Sequence, residues 1–182
     1  MNEYILLGIG IAILAFVIYT YNKCVNYSNY VKEAFSTMDV YLKKRWDLIP
    51  NLIEITKTFA QHEKSLFENV TKLRSGNYDD LSDSEKLKIN SEVSRTLPTI
   101  LIACENYPEL KSNQHFIKLL NELTTVENDI ANARKYYNGT VREFNTLIET
   151  FPFNLIANVF HYEQKEMFSI TDVQRQEIKV DL

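Results

Sequence analysis

Glycine and proline are scarce, four of each in 182 residues, about a third to a half of average usage. Folds built on frequent tight turns or positive-φ positions are therefore poor fits, which disfavours β-sandwiches, barrels and glycine-rich nucleotide-binding folds. Cysteine is nearly absent. Cys24 and Cys104 stand far apart in the sequence and form neither a disulfide framework nor a redox or nucleophile motif. An excess of basic charge is missing too: the net charge is −4, so no global field recommends a nucleic-acid partner and none is expected. What the chain has in quantity is 45% hydrophobic and 24% charged residues, enough to bury a core. Long helices are the fold class left standing.

The first of these is an uncharged run, Tyr4 to Tyr21, YILLGIGIAILAFVIYTY. As a helix it covers about 27 Å against a hydrocarbon core of about 30 Å, with Tyr4, Tyr19 and Tyr21 at the ends, where amphipathic rings prefer the interface. No basic residue precedes the run and no small-x-small cleavage site follows it, so it reads as a retained anchor rather than a signal peptide. Cys24 follows Asn22-Lys23 and lacks the small residue that lipoprotein attachment requires. Lys23 and Lys32 follow the span, whereas only the terminal amine precedes it. The expectation is a single-pass protein of the cell membrane with its N-terminus outside and its bulk cytoplasmic. Gly8 and Ala12 have a small-xxx-small spacing that suits self-association in lipid.

From Val31 a seam repeats in steps of four and three through Phe35, Met38, Leu42, Arg45, Ile49, Leu52, Thr56, Phe59, Glu63, Leu66, Val70 and Leu73. This is a heptad pattern. Its phase is unchanged across Pro50, which reads as a kink rather than a break. Arg74 and Gly76 supply a stop. Ser82 and Glu85 have capping-box spacing and open a second helix whose apolar face is Ile89, Val93, Leu97, Ile100, Leu101 and Cys104, with Pro98 inside it. Asn106-Tyr107-Pro108-Glu109 reads as a turn. A third helix is expected from about Asn113 to Thr150, with a seam of Phe116, Leu119, Leu123, Val126, Ile130, Ala133, Tyr137, Val141, Phe144, Ile148 and Phe151, and a stutter beside Gly139. Phe151-Pro152 stops it, and Phe153 to Phe160, FNLIANVF, forms a short apolar helix.

The expected fold is all-α: an N-terminal transmembrane helix followed by an antiparallel bundle of three long helices, the first kinked at Pro50, plus the short C-terminal helix. Three segments result: the N-terminus and anchor at 1–21, the bundle at 22–160, and an extended or partly disordered tail at 161–182.

Several stretches carry a family signature. Tyr21-Asn22, Val31-Lys32-Glu33-Ala34-Phe35, Met38-Asp39-Val40, Leu42-Lys43-Lys44-Arg45, Asp47-Leu48-Ile49-Pro50-Asn51-Leu52 and Ala60-Gln61-His62-Glu63 belong to it. So do Glu127-Asn128, Ala133-Arg134, Tyr137-Asn138, Val141-Arg142-Glu143-Phe144-Asn145 and Phe151-Pro152. Together they resemble the LemA family, from the anchor to about Phe160. The resemblance implies a bacterial-type membrane protein with one anchor and a helical bundle. It supplies no catalytic or ligand-binding position.

The residues themselves point to no chemistry. Di-iron bundles use Glu-x-x-His pairs, but Phe59, Ser112 and Asn158 stand three before His62, His115 and His161. His62-Glu63 begins like a zincin helix, yet Leu66 replaces its second histidine. No catalytic, cofactor-binding or metal site is expected, and no cofactor. Polar residues in the seam stand out instead. Arg45 and Glu63 occupy heptad positions where a charge costs stability unless paired, and where its best-attested use is to fix register or partner choice. Arg45 is expected to bond a carboxylate of the third helix, Glu122 or Glu127. Phe153, Ile156 and Phe160 complete the candidate interaction residues, on a helix that either packs on the bundle or docks on a membrane or a partner. The reading favoured by these features is a membrane-anchored scaffold in contact with the lipid bilayer and a protein partner, without catalytic chemistry. Two others stand beside it: a ligand binder or enzyme with an interhelical pocket near Asp47, Asn51, His62 and Arg134, and a lipid-organising protein.

Overall fold

The computed structural model describes residues 1–59, 71, 76–104 and 106–168. Among them all regular structure is helical: α1 Asn2–Phe59, a 3₁₀ turn Tyr78–Asp80, α2 Asp83–Cys104, α3 Pro108–Lys111, α4 Gln114–Glu149 and α5 Phe153–Val159. The chain clusters into two compact units. One comprises Met1–Thr37 and Ala133–Met167, the other Met38–Asn132 and Phe168–Leu182.

α1 begins as an anchor. No residue before Thr20 is buried, so the apolar run is not the core helix of a soluble domain. Among the described residues it is the one helix long and apolar enough to cross a membrane. From Val31 the heptad seam turns inward: Val31, Phe35, Met38, Leu42, Arg45, Ile49, Leu52 and Thr56 are all buried. Helix runs on through Pro50, whose missing N–H forfeits one backbone bond. Thr56, a polar seam position, hydrogen-bonds back to the carbonyl of Leu52. Glu63, His62, Leu66, Val70 and Leu73 lie outside the described residues.

In the first unit, Phe35 meets Tyr137 and Tyr21 meets Phe160. Numbers rise on α1 as they fall on the returning chain, the antiparallel arrangement. Past α5 the segment around Tyr162–Met167 has no helix but is tied to α4. Asn145 and Lys165 exchange two hydrogen bonds of 2.9 Å, the Tyr137 hydroxyl donates to the Glu166 carbonyl at 2.8 Å, and the rings of Phe144 and Tyr162 meet edge on. The expected tail therefore has an ordered extended start at 161–168, and positions 169–182 lie outside the described residues.

In the second unit, Arg45 meets Glu127 of α4, again antiparallel. Asp39 meets Lys86, and Arg45 meets Asn90 and Ser94, so α2 runs in the same direction as α1. Tyr78 accordingly stands beside Asp39. Gly76, at φ 123°, takes a backbone conformation that side chains resist. Ser82 and Glu85 form the expected capping box: the Glu85 carboxylate accepts from the Ser82 N–H at 2.9 Å and hydroxyl at 2.6 Å. Those bonds hold the Glu85 carboxyl below the ordinary carboxylate range.

The apolar core of this unit joins Ile49, Leu52 and Ile53 to Val93, Leu97 and Ile100, closed by Phe116, Leu119 and Leu123. Each fully buried aliphatic side chain contributes about 1.5–3 kcal/mol. Two details differ from the expectation. Pro98 is exposed, on the outer side of α2 rather than within its apolar face. Pro108 opens a one-turn helix, where its missing N–H costs nothing, instead of a plain turn; this drives Leu110 into the core. On α4 the seam is buried from Phe116 to Ile148, and Phe151 leaves it for solvent.

Candidate functional site

Arg45 sits at the centre of the polar contacts in the second unit. Its side chain is fully buried, because a seam position one turn from Leu42 and Ile49 faces the other helices whatever residue it carries. Nη1 donates to Ser94 Oγ at 2.7 Å and to both Glu127 carboxylate oxygens at 2.9 and 3.2 Å. Nη2 donates to the Asn90 carbonyl at 2.9 Å and to its Oδ1 at 2.8 Å. One guanidinium thus links α1, α2 and α4, the fork geometry that lysine lacks. Of the two carboxylates expected to receive it, Glu127 does so; Glu122 is exposed and lines a cleft instead.

The network continues outward. Asn90 Nδ2 donates to the Tyr78 hydroxyl at 3.3 Å, which donates to Asp39 Oδ1 at 2.7 Å; Lys86 Nζ closes on Asp39 Oδ2 at 2.7 Å. The Tyr78 ring packs 5.2 Å from that of Trp46, with the ammonium groups of Lys86 and Lys43 at 5.0 and 5.5 Å from its centroid. Asn90 and Tyr78 escape a reading of periodicity, since one lies beside the apolar stripe of α2 and the other in a polar loop. The available signal was an aromatic residue held between Asn77 and Asp79.

Burial first, then the hydrogen bond to Asp39 and its charge, pushes the Tyr78 phenol above the ordinary range. The unfolded chain releases this proton near pH 10 while the folded chain keeps it, so its contribution is complete below about pH 10 and is lost as pH rises towards the folded value. Tyr78→Phe is expected to cost about 1–2 kcal/mol at neutral pH, by leaving Asn90 and Asp39 short of a partner. The same variant flattens the loss of stability above about pH 10. Urea melts at neutral and alkaline pH check both; an unchanged alkaline slope in the variant counts against the assignment.

The candidates Phe153, Ile156 and Phe160 fall in the first unit. Phe153 and Ile156 are half-buried, Ala157 is buried, and the Phe160 ring lies 4.7 Å from that of Tyr21. The outward residues of α5 are Leu155 and Val159, which sequence reasoning did not single out. Lys23 Nζ stands 5.0 Å from the Phe153 ring and 6.0 Å from that of Tyr19. Cys24 is fully buried, and burial pushes its thiol up, which makes it a poor nucleophile.

Of the residues expected near an interhelical pocket, Asn51 lines an open cleft of about 580 Å³ with Glu54, His115, Lys118 and Glu122. Asp47 is exposed and does not line it, Arg134 belongs to the first unit, and His62 lies outside the described residues. Among the described residues no group of three His, Cys, Asp or Glu is placed to hold a metal ion.

An apolar anchor running into helices pinned by one buried arginine defines a single-pass membrane protein with a helical-bundle body. The chain belongs to the LemA family, which it matches over residues 34–182, past the Phe160 limit of the recognisable motifs. It is 20% identical to Protein LemA of Metamycoplasma hominis, across 86% of this chain and 72% of that one. It is also similar to Magnetosome protein MamQ 2 of Paramagnetospirillum magneticum, 21% identical across 87% of this chain and 68% of the relative. MamQ of Magnetospirillum gryphiswaldense is 19% identical over the same shares.

Proposed function

We propose that this protein is a membrane-anchored scaffold whose helical body presents a fixed surface to a protein partner and carries no catalytic chemistry. The observation that carries this reading is the Arg45 network. The buried Arg45 and Asn90 are engaged with each other and with Ser94 and Glu127, joining three helices, rather than converging on an open space with a nucleophile, a base and an anion donor. In this reading the body faces the cytoplasm, since Lys23 and Lys32 follow the span and no basic side chain precedes it.

Crosslinking in intact membranes with the anchor retained, followed by mass spectrometry, tests the scaffold. The expected result is a protein partner crosslinked through exposed lysines such as Lys44, Lys57 and Lys135; recovery of nothing above background rejects it. Orientation needs an introduced thiol because Cys24 is buried. Asp47→Cys, at an exposed position, is expected to resist an impermeant thiol reagent on intact cells and to react after lysis. Labelling before lysis reverses the orientation.

A further inference from the structure

The outer face of α5 carries the apolar Leu155 and Val159, with Asn158 also exposed, and it lies where the anchor leaves the bilayer. A helical span from Tyr4 to Tyr21 sets Tyr19 and Tyr21 at the edge of the hydrocarbon core, next to a headgroup layer roughly 5–7 Å thick. Both ends of α5 are held at that level. Phe160 stacks on Tyr21, and Phe153 shares the Lys23 ammonium with Tyr19. α5 is about 10 Å long, and its two ends contact Tyr21 and Lys23 of α1.

The exposed side has the matching chemistry. Leu155 and Val159 stand one turn apart on α5 and are 56% and 68% exposed, while Phe151 just before the helix and Phe160 just after it are 73% and 47% exposed. Other exposed large apolar residues beyond the anchor, such as Tyr30, Val40, Ile102 and Ile117, stand singly. Single exposures need no explanation, but a stripe does.

We propose that α5 is a second membrane contact, its Leu155 and Val159 stripe and the flanking Phe151 and Phe160 entering the headgroup layer of the leaflet in which the anchor ends. The occupant is lipid rather than protein because the stripe is continuous, through the Phe160–Tyr21 contact, with the lipid-facing surface of the anchor. Attachment at two points restrains the tilt and rotation of the first unit on the membrane, which a single helix leaves free. This inference stands whether or not a protein partner exists.

The test uses the full chain in vesicles of phosphatidylcholine and phosphatidylglycerol. Nitroxides are placed on Leu155→Cys and, separately, Val159→Cys, both at exposed positions; the buried Cys24 and Cys104 stay in place. Ile18→Cys in the span and Lys135→Cys in water serve as references. At both α5 sites, collisions with a water-soluble nickel chelate are expected to fall severalfold below the Lys135→Cys label, with oxygen collisions rising towards those of Ile18→Cys. Nickel access equal to that of Lys135→Cys overturns the proposal, and so does protection from both reagents, which marks a protein cover. A phospholipid carrying a photoactivated carbene near its headgroup gives the parallel measurement on the unaltered sequence. Adducts within residues 151–160 are expected, and adducts confined to 1–21 overturn the proposal.

Discussion

Arg45→Ala is expected to lower stability by about 3–5 kcal/mol, the range found when one partner of a buried ion pair is removed. At the size of this chain that corresponds to a fall of about 10 °C or more in Tm. The loss has two sources. The buried stem of Arg45 leaves a cavity, and Glu127, Ser94 and Asn90 lose the donors that satisfied them. Glu127→Ala is expected to cost less, about 2–3 kcal/mol, because the Glu127 side chain keeps 36% of its exposure and water partly screens the pair. Removing both charges in Arg45→Met with Glu127→Leu is expected to recover much of the loss, since no charge is then orphaned. Chemical melts of Arg45→Met, Glu127→Leu and the double form a cycle that isolates the coupling. A loss below about 1 kcal/mol for Arg45→Ala would place the contact among weak surface pairs and remove its structural role. A double variant that folds and keeps every crosslinked partner would remove any role in specificity.

Phe144→Ala is the second large effect and falls in the other unit. Phe144 is fully buried and meets Tyr162 edge on, so its truncation removes transfer energy and leaves a void, together about 3–5 kcal/mol. It also takes away the ring against which the extended segment rests. Faster hydrogen exchange at Tyr162–Glu166 is expected alongside the lower Tm, with the 2.9 Å bonds between Asn145 and Lys165 reporting the release. A variant that melts like the parent, with unchanged exchange there, contradicts the packing described.

Much of the architecture was legible before any coordinates, for a simple reason. A heptad stripe has to be buried somewhere, and its period identifies the helix face without identifying the partner. The seams from Val31 to Thr56 and from Phe116 to Ile148 are buried throughout, the capping box at Ser82 forms, and Arg45 reaches a carboxylate of the later helix. What stayed hidden depends on long-range pairing. Periodicity could not say that α2 runs parallel to α1, nor that Tyr78, in a polar loop, returns to Asp39. It also could not choose between Glu122 and Glu127, which are five residues apart and therefore on different sides of α4.

The short C-terminal helix shows the same division. Its apolar composition was plain, and Phe153, Ile156 and Phe160 seemed the residues to watch. Which of its residues face outward is a matter of how α5 lies on α1, and the apolar ones are Leu155 and Val159.

By itself the sequence determined that this is an all-helical, single-pass membrane protein, because hydrophobic run length and heptad period are local properties of the chain, and its motifs carried the resemblance to the LemA family. Only the tertiary structure decided which carboxylate satisfies the buried arginine and which way the second helix runs. These depend on contacts between residues up to 82 positions apart, and no local pattern encodes a partner at that distance.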